Sequence, residues 1–499
     1  MDGQRLSMYT FQHILFQRYL YNSLDAVERS HLHEEVGTAL EALYGDQSEE
    51  IAVQLARHFQ EAGLVAKAVD YLQKAGNKAV RLSANEEAIS HLNKGLELLK
   101  TLSDSPERVQ QELELLLALG SPLMASKGYG APEVGRIYAR AGELCKQIGE
   151  SPQLFLALSF LWSFDLTRGE PKKAFKLAEQ IISLSQRSQV PIQVMMGNWT
   201  QGLTLLYLGE FSSARASLEQ VVNSYNPQQH GFLAYAFGQD PGVSCLSWLG
   251  WTLWFLGYPA QAEKRCKEAL VLAKKLSHPF TLAFSHGIAG SLFYSLLREF
   301  QKVKEHNEVA FILGKREGFG LFQAMEPLFR GMERSIEGNV EEGIKLMRQG
   351  LAAYRALGTE MMLHHYLALL AELCEKGGKV KEGFEAVAEG LAEVKKSGER
   401  YYEAELYRIK GELELKKAKV KDKTKQEEAE RCFRQALDIA RSQKARSWEL
   451  RAAMSLSRLL QKQGKKQEAR KMLAEVYDWF SEGFDTPDLK EARALLDEM

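Results

Sequence analysis

GMERSIEGNVEEGIKLMRQG, residues 331–350, carries the reading of the fold. Gly331 stands twelve residues before Gly343, Gly350 stands seven after it, and Gly338-Asn339 lies between. From Val340 onward, Ile344, Leu346, Met347, Leu351 and Leu357 alternate with Glu341, Glu342, Lys345 and Arg348 at helical spacing, so this half is an amphipathic helix. Two antiparallel helices joined by a tight turn need small side chains where their axes cross. Glycine at the turn supplies the positive φ that ends the first helix.

The same offsets recur in both directions. Turns are expected at Gly169-Glu170, Gly209-Glu210, Gly257-Tyr258, Arg298-Glu299, Gly378-Lys379 and Gly464-Lys465. Small residues such as Gly202, Gly250, Ser291, Ala371 and Ser457 precede these turns, and Ala174, Ala214, Ala262, Gly383 and Ala469 follow them. Successive turns are mostly 40 to 41 residues apart, with one step of 48 between Gly209 and Gly257. Fixed-period helix pairs mark an α-solenoid. The expectation is an all-α, right-handed α-solenoid with a period of about 40 residues and no sheet. The pattern is similar to the tetratricopeptide repeat (TPR), with longer helices.

Working outward, residues 1–46 read as winged-helix-like junction helices and 47–150 as N-terminal helical repeats. Residues 151–484 read as the TPR-like superhelix and 485–499 as a C-terminal capping helix. Two stretches break the pattern. Residues 225–243, rich in Gly, Gln, Asn and Pro, read as a long loop of the kind that often carries function. Residues 416–425, KKAKVKDKTK, read as a solvated insert, with a phosphate or nucleic-acid contact as the alternative.

Composition narrows the function classes. The chain has 499 residues, 45% apolar and 26% charged, with a formal net charge of −1, which gives no global case for nucleic acid or an anionic membrane. No signal peptide is visible from Met1 to Thr10, and the apolar run Trp248–Tyr258 is too short to span a bilayer, so a cytoplasmic protein is expected. The five cysteines, Cys145, Cys245, Cys266, Cys374 and Cys432, are scattered without a CxxC pair and read as buried reduced thiols. His364-His365 with Cys374, and His31 with His33, lack the spacing of a zinc site, so no metal or cofactor is expected.

Further blocks carry a resemblance. These are YTFQHILFQRYLYNSLDAVERSHLHEEVGTALEALY (9–44), DPGVSCLSWLGWTLWFLGYPAQAE (240–263), WELRAAMSLSRLLQ (448–461) and WFSEGFDTPDLKEARALLDEM (479–499). They resemble the C-terminal repeat region of large bacterial signalling ATPases of the AAA/STAND type, some of which carry adenylate/guanylate cyclase domains. The architecture is also similar to the sensor superhelix of the maltose-regulon activator. The resemblance implies a module that senses a partner for an ATPase, cyclase or transcription domain; because the nucleotide fold is absent here, His13 reads as a structural histidine, with a contact to an NTPase module as the functional alternative. A Walker A loop is missing, because Gly314-Lys315, Gly378-Lys379 and Gly464-Lys465 are not followed by Ser or Thr. No nucleophile elbow or cyclase carboxylate pair is assignable, so the chain is read as a non-enzyme.

The candidate binding surface is aromatic and methionine-rich. In TPR arrays the first helix of each pair lines the concave groove. That register places Met196, Trp199, Leu203, Tyr207, Trp251, Trp254, Met325, Leu328 and Met332 on the groove wall. Such a wall suits an apolar peptide or a small ligand. The alternative is that these rings fill the inter-repeat core. Two functions therefore stand side by side: a protein- or ligand-binding scaffold that regulates a signalling protein, or a fragment of a nucleotide-binding ATPase that contributes to NTP hydrolysis.

Overall fold

The computed structural model describes residues 14–128, 130–148, 152–417 and 423–499, and all regular structure in them is helical. The chain divides into two compact units, Met1–Leu119 and Gly120–Met499, with the division inside the helix Pro106–Lys127. None of the described helices is long and apolar enough to cross a membrane.

In the first unit, Asp25 caps the helix Ala26–Tyr44 through a capping box with Glu28. The helices Ala52–Glu61 and Val65–Arg81 form the pair expected around Gly63, with Leu55, Phe59, Ala68 and Leu72 in a common core. Asn85–Leu99 packs next, its Gly95 meeting Leu115 of the helix Pro106–Lys127.

The second unit is an α-solenoid. After Pro132–Ile148, first and second helices alternate: Pro152–Thr167 with Pro171–Ser188, Pro191–Leu208 with Phe211–Ser224, and Pro241–Phe255 with Pro259–Leu276. The next first helix runs from Pro279 to Leu296 with a π-helical stretch at His286–Leu292, and pairs with Phe300–Glu317. Gly320–Ile336 with Val340–Ala356, Leu363–Lys376 with Val380–Ser397, Glu403–Lys417 with Lys423–Ser442, and Arg446–Lys462 with Lys466–Tyr477 complete the array, and Pro487–Glu498 caps it. At the crossing of the pair that includes 331–350, a Cβ on Gly331 would lie 2.6 Å from the carbonyl oxygen of Gly343, and one on Gly343 would lie 2.5 Å from that of Gly331. Backbone rests on backbone there, which is why both positions are glycine.

The later repeats close onto the earlier ones along a seam. The last carbonyls of a helix have no partner inside it. Three first helices find one in the next coil: Thr167 O accepts from the Glu360 N–H at 3.0 Å, Tyr207 O from the Arg400 N–H at 2.8 Å, and Trp254 O from the Ser447 hydroxyl. Each donor lies 193 residues after its acceptor. At the fourth turn the Leu296 carbonyl accepts from the Arg451 guanidinium at 2.6 Å.

That constant register explains both irregular stretches. Residues 225–243 lengthen the step from Tyr207 to Trp254, and the insert around 416–425 lengthens the step from Arg400 to Ser447 by the same amount. The first stretch is not the loose functional loop expected. It folds into two short helices, Pro227–His230 and Leu233–Phe237, and Pro241–Val243 already belong to the next helix. Phe237 packs on Phe160 and Trp199, and the Asp240 carboxylate accepts from the Val243 N–H at 2.9 Å and from the Tyr225 hydroxyl at 2.6 Å. In the second insert, residues 418–422 lie outside the described residues, while Lys416 pairs with Glu375 and Lys425 with Glu414.

Candidate functional site: an inner wall closed by the seam

All nine residues expected on the groove wall are buried. Met196, Trp199, Leu203 and Tyr207 come from one first helix, Trp251 and Trp254 from the next, and Met325, Leu328 and Met332 from a later one. These side chains do not form the open wall expected: Tyr207, Trp251 and Trp254 pack against Tyr401, His365 and Trp448 of the later repeats, and Trp199 packs against Trp162 and Phe237 of its own coil. Every residue of Pro241–Phe255 is buried. Trp254 meets Trp448 edge-on with ring centroids 4.8 Å apart, and Trp251 lies against His365 at 5.9 Å and Tyr401 at 6.3 Å. Four indole N–H groups are used within the array: Trp162 donates to Thr204, Trp199 to Ser244, Trp251 to the Ile288 carbonyl and Trp448 to the Tyr401 carbonyl.

Between the coils sits a buried polar cluster around Glu399. One of its carboxylate oxygens accepts from the Met362 N–H at 2.9 Å and lies 3.2 Å from His364 Nδ1. Met362 holds a left-handed backbone, φ 66°, to deliver that N–H. The other oxygen, Oε1, has no protein partner. Neither do the Tyr207 and Tyr366 hydroxyls, Trp248 Nε1, or the Nε2 atoms of His364 and His365. Tyr401, whose hydroxyl lies 3.3 Å from His365 Nδ1, packs its ring against Tyr207 at 5.6 Å and His364 at 4.8 Å. Burial pushes the phenols of Tyr207 and Tyr401 well up, with the Glu399 charge adding to it.

Farther along the same inner wall a charged chamber of about 220 Å³ opens. Its charges are paired. Arg408 grips Glu405 with two hydrogen bonds of 2.8 Å. Arg451 binds Asp488 at 2.8 Å while its guanidinium lies beside the perpendicular pair Trp254 and Trp448, 5.1 Å from each ring centroid. Arg298 reaches both Asp488, at 3.3 Å, and Glu491, at 2.9 Å, on the capping helix. Burial opposes the charge on Arg408, but Glu405 and Glu412 outweigh it and hold its pKa above the usual value. Arg298 also takes the left-handed turn position, φ 61°, which Gly169, Gly209, Gly257, Gly338, Gly378 and Gly464 hold at the corresponding turns. The chamber was not singled out from sequence. Its one signal was that Glu405, Arg408 and Glu412 repeat at helical spacing on a first helix, the face assigned to the inner wall.

The remaining sequence candidates are dispersed. His13 lies outside the described residues. His31 pairs with Glu35, and His33 lies 3.0 Å from His58. Cys145, Cys245, Cys266 and Cys374 are buried free thiols, and Cys432 is half-buried. Among the described residues no group of three or more His, Cys, Asp or Glu side chains is arranged to hold a metal ion.

The comparisons agree with this geometry at the level of the repeat. A family model described as tetratricopeptide repeat matches residues 450–478. An uncharacterized protein of Rhizobium meliloti (strain 1021) is 26% identical over 456 residues, covering 90% of this chain and 43% of that protein. The chain thus spans less than half the length of the curated relative it matches. Among solved structures, a Rap protein complexed with competence and sporulation factor is 11% identical with a TM-score of 0.41, covering 86% of this chain and 98% of that one. The apo form of the quorum sensor NprR from B. thuringiensis is 13% identical with a TM-score of 0.44, covering 75% of this chain and 99% of that one. The chain therefore carries a tetratricopeptide-type repeat within an all-helical solenoid.

Proposed function

We propose that the chain is a binding and sensing module. A protein or small-molecule partner acts on the inner wall of the second unit, and the seam relays the event to a bacterial signalling ATPase, cyclase or transcription regulator in the cytoplasm. His13 as a contact to an NTPase module belongs to the same reading.

The Glu399 cluster carries the proposal. Six buried polar atoms without a protein partner belong to it, on Tyr207 and Trp248 from one coil and on His364, His365, Tyr366 and Glu399 from the other. Each such atom left unpaired costs roughly 1–3 kcal/mol. A partner that brings donors and acceptors between the coils satisfies them, and that differential interaction is what shifts a closed-to-open equilibrium.

The test titrates the purified chain with short peptides, small polar metabolites and ATP, reading the melting temperature and tryptophan emission. The expected result is a response to one of the first two classes that Tyr366→Phe weakens while helicity stays intact. Clear ATP affinity without any response to peptides or metabolites supports instead the reading as part of a nucleotide-hydrolysing enzyme.

A further inference from the structure

A second surface lies on the outside of the seam. Two clefts of about 820 and 410 Å³ adjoin there, and Tyr407 lines both. The floor of the larger cleft is apolar: Leu208 from the first coil, and Leu391, Val394 and Tyr407 from the second. On the helix Val380–Ser397, Ala388, Leu391, Ala392 and Lys395 fall at i, i+3, i+4 and i+7, so one exposed face is small and apolar with a cation at its end. Alanines at that spacing let another helix approach closely.

The rim settles the sign of the occupant. Arg400 is held by Glu403 at 2.7 Å, and Lys425 by Glu414 at 3.2 Å. Lys172, Lys395, Lys410 and Arg431 line the same clefts and form no hydrogen bond or ion pair with the other described residues. Glu210 is the one carboxylate of the clefts in that condition. The lining holds six cations, Lys172, Lys395, Arg400, Lys410, Lys425 and Arg431, against four carboxylates, Glu210, Glu403, Glu414 and Glu428, and this net positive rim around an apolar floor complements an acidic amphipathic helix.

We propose that this double cleft docks an acidic amphipathic helical segment of a partner protein, apolar residues on the floor and carboxylates against Lys172, Lys395, Lys410 and Arg431. Lys172, Leu208 and Glu210 belong to the first coil and the other lining residues to the second, so the bound helix spans the seam. Docking and seam closure are therefore coupled, and each stabilises the other.

The experiment uses the full chain and a labelled Glu/Leu amphipathic peptide of about 18 residues, five helical turns. Controls are the same peptide with Lys for Glu, the same peptide with Ser for Leu, and a single-stranded oligonucleotide of equal charge. Fluorescence anisotropy should show binding of the Glu/Leu peptide alone. The surface variant Lys395→Glu with Lys410→Glu should weaken it by roughly tenfold or more, with unchanged circular dichroism. Hydrogen exchange at the Arg400 amide, whose acceptor is Tyr207 O across the seam, should slow when the peptide is bound. Equal binding of the Lys/Leu or Glu/Ser peptide, equal binding by the charge-reversal variant, or preference for the oligonucleotide overturns the proposal. So does a wild-type dimer that the double variant converts to monomer, which assigns the cleft to a second copy.

Discussion

The seam can be tested with two glycines that share a backbone conformation and differ in what covers them. Gly257, φ 90°, and Gly378, φ 70°, both end first helices in left-handed turns. A Cβ at Gly378 meets nothing within 4 Å. A Cβ at Gly257 would lie 2.5 Å from the Trp479 ring, 2.8 Å from Arg446 Cβ and 3.2 Å from the Phe480 ring, all in the facing coil. Gly378→Ala therefore carries only the left-handed penalty, about 1–2 kcal/mol. Gly257→Ala carries that plus the cost of forcing a methyl into a packed contact, about 1–3 kcal/mol more. The assay is urea unfolding of both variants, together with hydrogen exchange across residues 445–449. The expected outcome is a larger loss for Gly257→Ala, with faster exchange near Ser447, and no seam response for Gly378→Ala. Equal losses with unchanged exchange near Ser447 would refute the closed seam, because the two positions would then differ in nothing but sequence.

Trp251→Ala combined with Trp254→Ala should lower the melting temperature sharply, because each truncation of a buried tryptophan costs about 3–5 kcal/mol. Retained stability with loss of partner binding would return these rings to a ligand wall. Tyr366→Phe should stabilise the partner-free chain by about 1–3 kcal/mol, since it removes a buried hydroxyl that has no protein partner; a loss of stability would take Tyr366 out of the Glu399 cluster. Burial holds His278 down at about 4, and its Nδ1 caps a helix by accepting from the Thr281 N–H. Its folded pKa is below the unfolded one, so its contribution is present above about 6.5 and is lost as pH falls towards 4. His286, also held at about 4, acts in the same direction, whereas Asp240, raised to about 6 by burial, opposes them over the lower part of that window. Urea midpoints between pH 4 and 7 should fall with acid, and His278→Gln should flatten the slope; an unchanged slope would remove His278 from the account.

Several elements were legible in the residues because their causes are local. Small residues at offsets around a left-handed glycine mark a helix crossing wherever they occur, and the pair around 331–350 and the period of about 40 residues follow from that chemistry. The placing of Trp251, Trp254 and Tyr207 on first helices was legible for the same reason. Their covering was not, because it depends on His365, Tyr401 and Trp448, more than 100 positions away, and no local pattern encodes how far the coil rises in a turn. The two inserts illustrate the limit. Each is plain in the sequence as an interruption, but only the closed coil reveals that they lengthen opposite edges of the seam equally. The charged chamber and the outer clefts arise where such distant segments meet, so tertiary closure alone decided them.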